Sequence, residues 1–171
     1  VHGVFVDVFG EGMLITGGSG VGKSECALEL IERGHRLVAD DVVIVKRIGR
    51  NILLGSSSTH IQHHMEVRGL GIIDVELLFG IGAVREEKRI SVSIELEKWT
   101  DEYDVDRLGI DQQQTTILDV PIRQFHIPVE SGRNISILIE VAALQHRIFE
   151  RGINPAEELN KRLIKLMTGG H

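Results

Sequence analysis

With a single cysteine, Cys26, the chain cannot form an internal disulfide. That excludes a small disulfide-stapled scaffold and makes a reducing cytoplasm the expected compartment. Aromatic side chains make up only 4% of the 171 residues, so the core has to be aliphatic. No apolar run approaches the roughly 20 residues that a bilayer-spanning helix needs, and no signal peptide is visible. Positive charge is in deficit, 19 basic against 25 acidic residues for a net charge of −6, which argues against a nucleic-acid or anionic-membrane surface. There is no internal repeat, no low-complexity tract and no sign of a second domain. Glycine, by contrast, is plentiful at 19 residues. Together with the aliphatic composition it indicates an α/β protein with many tight turns, of a size that buries roughly two thirds of its unfolded surface around one core. The sequence opens at Val1 already inside a strand-like run, so we expect a domain of a longer protein.

One stretch organises the rest. Gly17-Gly18-Ser19-Gly20-Val21-Gly22-Lys23-Ser24 satisfies the phosphate-binding pattern G-x-x-x-x-G-K-[ST] at every fixed position. It follows the apolar run Met13 to Thr16, of strand length, and opens onto Glu25 to Arg33, a helical stretch ended by Gly34. In that setting backbone N–H groups and a helix N-terminus point into one concavity and favour an anion. Lys23 adds a cation for the outer phosphates, and the Ser24 hydroxyl suits Mg²⁺. Upstream, Val1 to Val8 reads as a strand, with Phe9 to Gly12 turning into the next. A hairpin whose facing residue numbers sum to about 22 sets His2 opposite Gly20, beside the phosphate loop.

After Gly34, the run His35 to Ala39 reads as a buried strand ending in Asp40-Asp41. A βαβ crossover brings Asp40 to the phosphate site, where adjacent acids have two tasks, one on Mg²⁺ and one as base for an attacking hydroxyl. Lys46 to Gly55 suggests a surface hairpin, and His60, His63 and His64 a solvated helix start rather than a metal site. Glu66-Val67-Arg68-Gly69-Leu70-Gly71-Ile72-Ile73-Asp74-Val75 describes a tight backbone path that presents charges. Arg89 to Glu97 alternates as a half-buried strand. Asp106-Arg107-Leu108-Gly109 fits the D-x-x-G pattern of GTPases, but no N-K-x-D motif accompanies it and that reading is discarded; Arg107 stays as a candidate phosphate-charge stabiliser. Thr116 to Pro121 and Phe125 to Val129 read as extended pieces broken by prolines, and Pro128 to Asn134 as an exposed loop of defined shape. Ile135 to Val141 reads as an apolar strand and Ala142 to Arg151 as a helix. A last helix is capped by Asn154 and Pro155; its apolar face of Leu159, Leu163, Leu166 and Met167 is expected to pack on the sheet or a neighbouring subunit.

Taken together, His2-Gly3, the Gly17 to Ser24 loop, Ala39-Asp40-Asp41, Glu66 to Val75 and Pro128 to Asn134 resemble the bacterial HPr kinase/phosphorylase family, in its C-terminal catalytic domain. The resemblance covers nearly the whole chain. It implies a single P-loop α/β domain, a mixed twisted sheet flanked by helices and related to the nucleotide-binding core of phosphoenolpyruvate carboxykinase, in a hexamer lacking here the family's N-terminal domain. The implied activity is phosphorylation of a regulatory serine of the phosphocarrier HPr by ATP or pyrophosphate, reversed by phosphorolysis, in the control of carbon catabolite repression. By resemblance His2, Lys23, Asp40 and Arg107 are catalytic, Ser24 and Glu66 are Mg²⁺ ligands, and Pro128-Val129-Glu130-Ser131-Gly132-Arg133 belongs to the phosphorylase direction. Gly18 stands where the family usually has Asp. Two alternatives stay open: a P-loop kinase or carboxykinase-like enzyme for a small metabolite, and a non-catalytic ATP sensor.

Overall fold

The computed structural model describes residues 1–58, 60, 62–99, 113–153 and 155–169. The first hairpin joins β1 (Val4–Val8) to β2 (Glu11–Gly17) through Phe9 and Gly10, both at positive φ (52° and 83°), as the tightest hairpin turn requires. That two-residue turn pairs Val4 with Ile15 and Val8 with Glu11, so facing numbers sum to 19 rather than 22. His2 therefore does not face Gly20; it bridges to Val42. The longer turn expected from Phe9 to Gly12 is two residues shorter because Phe9 accepts the left-handed conformation.

From β2 the chain enters α1 (Lys23–Glu32), then β3 (Arg36–Ala39). β1 is antiparallel to both β2 and β3, so those two run parallel with β1 between them. The main sheet is completed by β9 (Val92–Lys98), β10 (Gln113–Ile117) and β11 (Val120–Val129) in the order β10-β11-β9-β2-β1-β3. β9 is parallel to both β2 and β11, which makes it an interior strand. Ser93 is buried along with Val92 and Ile94, so the alternation read as half-buried reflects two covered faces of different chemistry. The prolines do not break β11. Pro121 pairs with Thr116 ahead of the register with β9, and Pro128 lies beyond the last residue paired to β10, so neither deprives the ladder of a needed N–H.

The two sheet faces carry separate cores. One buries Val4, Val6, Met13, Ile15, Val92 and Ile94 against α1 and α3 (Ile135–Glu150). The other buries Phe5, Leu14, Ile90 and Ile122 against a second sheet of β4 (Ile44–Ile48), β5 (Ile52–Ser56) and β8 (Glu87–Arg89). The expected surface hairpin is thus present as β4 and β5, and it covers a core. A third, two-stranded sheet pairs β6 (His64–Val67) with β7 (Gly71–Asp74). It buries Met65 and Val67 on the helical side and leads into α2 (Val75–Phe79), whose Asp74 cap accepts from Leu77 N–H. The short 3₁₀ turn Ile81–Ala83 follows.

Two further expectations are corrected, and a third in part. His63 and His64 lie in a turn and at the start of β6, not on a helix; His63 has φ 63° and its ring meets the Arg85 carbonyl at 3.3 Å. Ile135 to Val141 is the first half of α3, not a strand. Asn134 accepts from Ile137 N–H and caps the helix, and Ile139, Ala142, Ala143 and His146 fall on one buried face. The last helix, α4 (Pro155–Met167), leaves Leu159, Leu163, Leu166 and Met167 exposed rather than packed on the sheet. Asn154, expected to cap it, lies outside the described residues. Among the described residues no helix is long and apolar enough to cross a membrane.

α1 and α3 are locked by buried Glu140, which accepts from Arg33 Nε at 2.7 Å and meets His35 Nε2 at 2.8 Å. Burial pushes its carboxyl upward, but the His35 and Arg33 hydrogen bonds outweigh this and leave it below the usual range. A carboxyl held low adds stability above the ordinary glutamate range and loses it as pH falls through its lowered value. Glu140→Gln is therefore expected to cost about 2 kcal/mol at pH 7, with the difference from the parent shrinking on acidification, by urea denaturation at several pH values. Burial, with a smaller contribution from Glu29, also pushes the Cys26 thiol up to about 12 against the lowering effect of the neighbouring Ser136 hydroxyl. Thiol-labelling of the native protein should be negligible and should appear only in denaturant.

Candidate functional site

The phosphate loop leaves the carboxyl end of β2, and its glycines are placed by sterics. Gly17 has φ 146°, and a Cβ there would stand 2.6 Å from the Leu96 carbonyl oxygen of β9. Gly22 caps α1 from the left-handed region with no side chain bonded to the first turn, so the helix N-terminus is open to an anion. Gly18 differs: its φ is not left-handed, and a Cβ there would meet nothing within 4 Å. An aspartate would fit at that position, so its absence is a matter of charge and not of space. Val21 is buried and anchors the loop in the helical-side core, while Ser19 and Gly20 are exposed.

Lys23 folds back over the loop, its Nζ donating to the carbonyls of Gly17 at 2.8 Å and Gly18 at 3.0 Å. Ser24 Oγ donates to Asp40 Oδ1 at 3.1 Å, and Asp40 Oδ2 accepts from the Glu66 backbone N–H at 3.3 Å. Asp40 arrives there because β3 runs parallel to β2 and ends at the same edge of the sheet. Burial pushes its carboxyl up; the bonds from Ser24 and from the Glu66 and Asp41 backbones pull it down, neighbouring Asp41 pushes it further up, and the net displacement is upward. Such a carboxyl is more basic than a solvated aspartate.

His2 reaches this edge from the other side. It bridges to Val42, Gly3 N–H donates to the Asp41 carbonyl at 3.0 Å, and the His2 ring is exposed. Among the described residues no hydrogen bond joins that ring to Asp40. The β6–β7 hairpin carries Glu66 to Asp74, and Val75 opens α2; the hairpin's turn, Arg68-Gly69-Leu70, brings an Arg68 guanidinium nitrogen to 3.9 Å from where a Cβ on Gly20 would sit. Sequence reading marked Arg68 only as a charge on a tight path; its approach to the loop is a tertiary fact. Thr16, the last residue before the loop, donates to the Glu95 carboxylate of β9, another contact without a sequence signal. β11 ends at the same edge, with Val129 paired to Lys98; Pro128, which is buried, and half-buried Val129 still belong to that strand, so the expected exposed loop begins only at Glu130. Arg133 closes that segment through Glu130 and Pro128 carbonyls at 3.1 and 3.5 Å. Arg107 lies outside the described residues.

The oxygen donors at Ser24 and Asp40 are of the kind a hard divalent cation takes, and the open α1 N-terminus with Lys23 suits phosphate. Residues 1–163 match the family model of the HPr serine kinase C-terminal domain. The chain is 51% identical over 170 residues to an HPr kinase/phosphorylase of Geobacillus sp. (strain WCH70), covering 99% of this chain and 55% of that protein. It is 50% identical over 171 residues to one from Bacillus cereus (strain B4264), covering 100% and 55%. The chain thus spans about half the length of these curated relatives. The solved structure of the HPr(Ser) kinase/phosphatase from Coxiella burnetii superposes with a TM-score of 0.80 at 36% identity, covering 89% of this chain and 92% of that one. With its P-loop, mixed sheet and matching residues 1–163, the chain belongs to the family of HPr serine kinase C-terminal domains.

Proposed function

We propose that this chain is the catalytic domain of an enzyme that transfers a phosphoryl group from ATP, or pyrophosphate, to a serine of the phosphocarrier protein HPr. The same site removes that phosphate by phosphorolysis with inorganic phosphate, releasing pyrophosphate. The observation that carries this reading is the Asp40 carboxylate, bonded to Ser24 of the phosphate loop and to Glu66 of the β6–β7 hairpin. The relatives named HPr kinase/phosphorylase support it. We place the enzyme in the cytoplasm as a homohexamer acting in carbon catabolite repression.

In this mechanism the backbone of Gly17 to Ser24 and the α1 N-terminus hold the β- and γ-phosphates, and Lys23 turns from the loop carbonyls to the phosphates. Ser24, beside Asp40, and Glu66, whose backbone N–H meets Asp40, would hold Mg²⁺, which would neutralise phosphate charge. Asp40 removes the proton from the attacking serine hydroxyl, whose oxygen bonds to the γ-phosphorus as the bond to the β-phosphate oxygen breaks. With inorganic phosphate as acceptor, one of its oxygens bonds to the phosphorus of phosphoserine as the serine Oγ–P bond breaks and Asp40 returns a proton to the serine oxygen, the microscopic reverse of transfer from pyrophosphate. His2 stands beside this pair as a further catalytic group, and Arg107 and the 128–133 segment act on the phosphates. Arg68 lies over the loop, where a guanidinium stabilises charge spread over the transferring phosphoryl oxygens. Without an aspartate at Gly18, the loop carries less negative charge toward the nucleotide.

Incubating the protein with HPr, Mg²⁺ and ATP should give phosphoserine, and adding phosphate should regenerate HPr with formation of pyrophosphate. Phosphorylation without reversal would leave only the kinase half. Asp40→Asn should lose about 10²–10⁴-fold in phosphotransfer while keeping nucleotide binding; a purely ATP-sensing protein would show no change in any activity. Since a carboxyl held above its unfolded value adds stability only at acid pH and loses it as pH rises, Asp40→Asn should melt no lower than the parent at pH 8. Arg68→Ala should lower kcat about 10²-fold with little change in melting temperature, and Arg68→Lys should restore little, since an ammonium cannot reproduce the planar fork.

A further inference from the structure

The pole of the main sheet opposite the phosphate loop holds a second cluster of donor atoms. Glu11 opens β2 there, whereas the loop follows the strand's last residue, Gly17. His146 and Glu150 lie one turn apart near the end of α3, on the same helical face. One ligand atom from each of Glu11, His146 and Glu150 can be chosen so that all lie within 4.8 Å of one another. His146 Nε2 already meets Glu150 Oε1 at 3.0 Å. The ring is 7% exposed, and its Nδ1 is buried with no hydrogen-bond partner, so hydrogen bonding within the protein leaves this imidazole half satisfied.

Charge points the same way. Two carboxylates converge on this ring at the carboxyl end of a 16-residue helix, where the backbone dipole also favours positive charge. Among the described residues the cation paired with Glu11 is Arg147, with its Nε 3.8 Å from Oε1, the outer limit of an ion pair. We propose that Glu11, His146 and Glu150 form a binding site for a divalent transition-metal ion of the zinc class. One imidazole and two carboxylates are a three-ligand set of the kind zinc accepts, with the fourth position left to water. The imidazole selects against magnesium, which takes oxygen donors. Tetrahedral coordination at zinc distances needs donors about 3.3 Å apart, a contraction within reach of the half-exposed Glu150 side chain. The ion would fasten the β1–β2 hairpin to α3, remote from Ser24 and Asp40.

The test is calorimetric titration of the protein with zinc chloride in excess Mg²⁺, which keeps the phosphate site occupied. Parallel substitution with Co²⁺ reads the visible absorption band of a four-coordinate ion. The expected result is one high-affinity zinc per chain that raises the melting temperature of the parent. Glu11→Gln and Glu150→Gln, both at partly exposed positions, should each weaken zinc binding about tenfold or more and abolish the thermal shift. His63→Gln and His64→Gln should leave it intact. No zinc binding by the parent, or zinc binding that survives both glutamate substitutions, or that is lost in the His63 or His64 variants instead, would overturn the assignment.

Discussion

The carboxylate of Asp40 joins three segments distant in sequence: β3, which it directly follows, the phosphate loop through Ser24, and the β6–β7 hairpin through the Glu66 N–H. A group of this kind is costly to bury without partners, so its position is strongly constrained. The two hydrogen bonds hold Asp40 in place, and the burial that accompanies them makes it basic. Placement and reactivity thus have one physical origin. The hairpin that presents Glu66 and Arg68 would otherwise be a two-stranded ribbon of marginal stability, and it gains support from Met65 and Val67, buried against the helical-side core.

The main sheet makes this possible by keeping its polar work at one edge. β2, β3, β9 and β11 all run the same way, so their carboxyl ends line up at the phosphate loop. Both faces are covered, one by helices and the other by the β4-β5-β8 sheet. The close approach of that second sheet shows at Gly55, where a Cβ would stand 2.5 Å from the Phe5 ring. Rigid covering on both sides lets the loops at the edge hold strained backbone such as Asp41 at φ 69°.

Much of the fold was readable because local chemistry decided it. The strand, loop and helix around Gly17 to Ser24 follow from an apolar run, a glycine-rich turn and a glycine stop, and the structure has them as β2, α1 and Gly34. What misled was length and register. The apolar run from Ile135 carries no period that separates a buried strand from a buried helix; the signal that decides it is the single Asn134 cap. The β1–β2 turn could be read as two residues or more, and only the left-handed Phe9 fixed the shorter one, moving His2 from the phosphate loop to Val42. Arg89 to Glu97 alternated in sequence, yet its second face is buried too, since alternation reports chemistry and not what lies above it.

By itself the sequence determined that the chain carries a phosphate-loop pattern between a strand and a helix and that an acid stands at the end of the strand after the helix. A nucleating loop and its flanking periods are written within about 25 residues, and their conformations are set by neighbours along the chain. Only the tertiary structure decided which side chains meet there. Ser24 and Asp40 are 16 residues apart, Asp40 and Glu66 are 26, and Arg68 reaches Gly20 from a different sheet. Those contacts depend on strand order and on a register exact to one residue. Both are fixed by long-range burial of the two cores, which no stretch of the sequence contains alone.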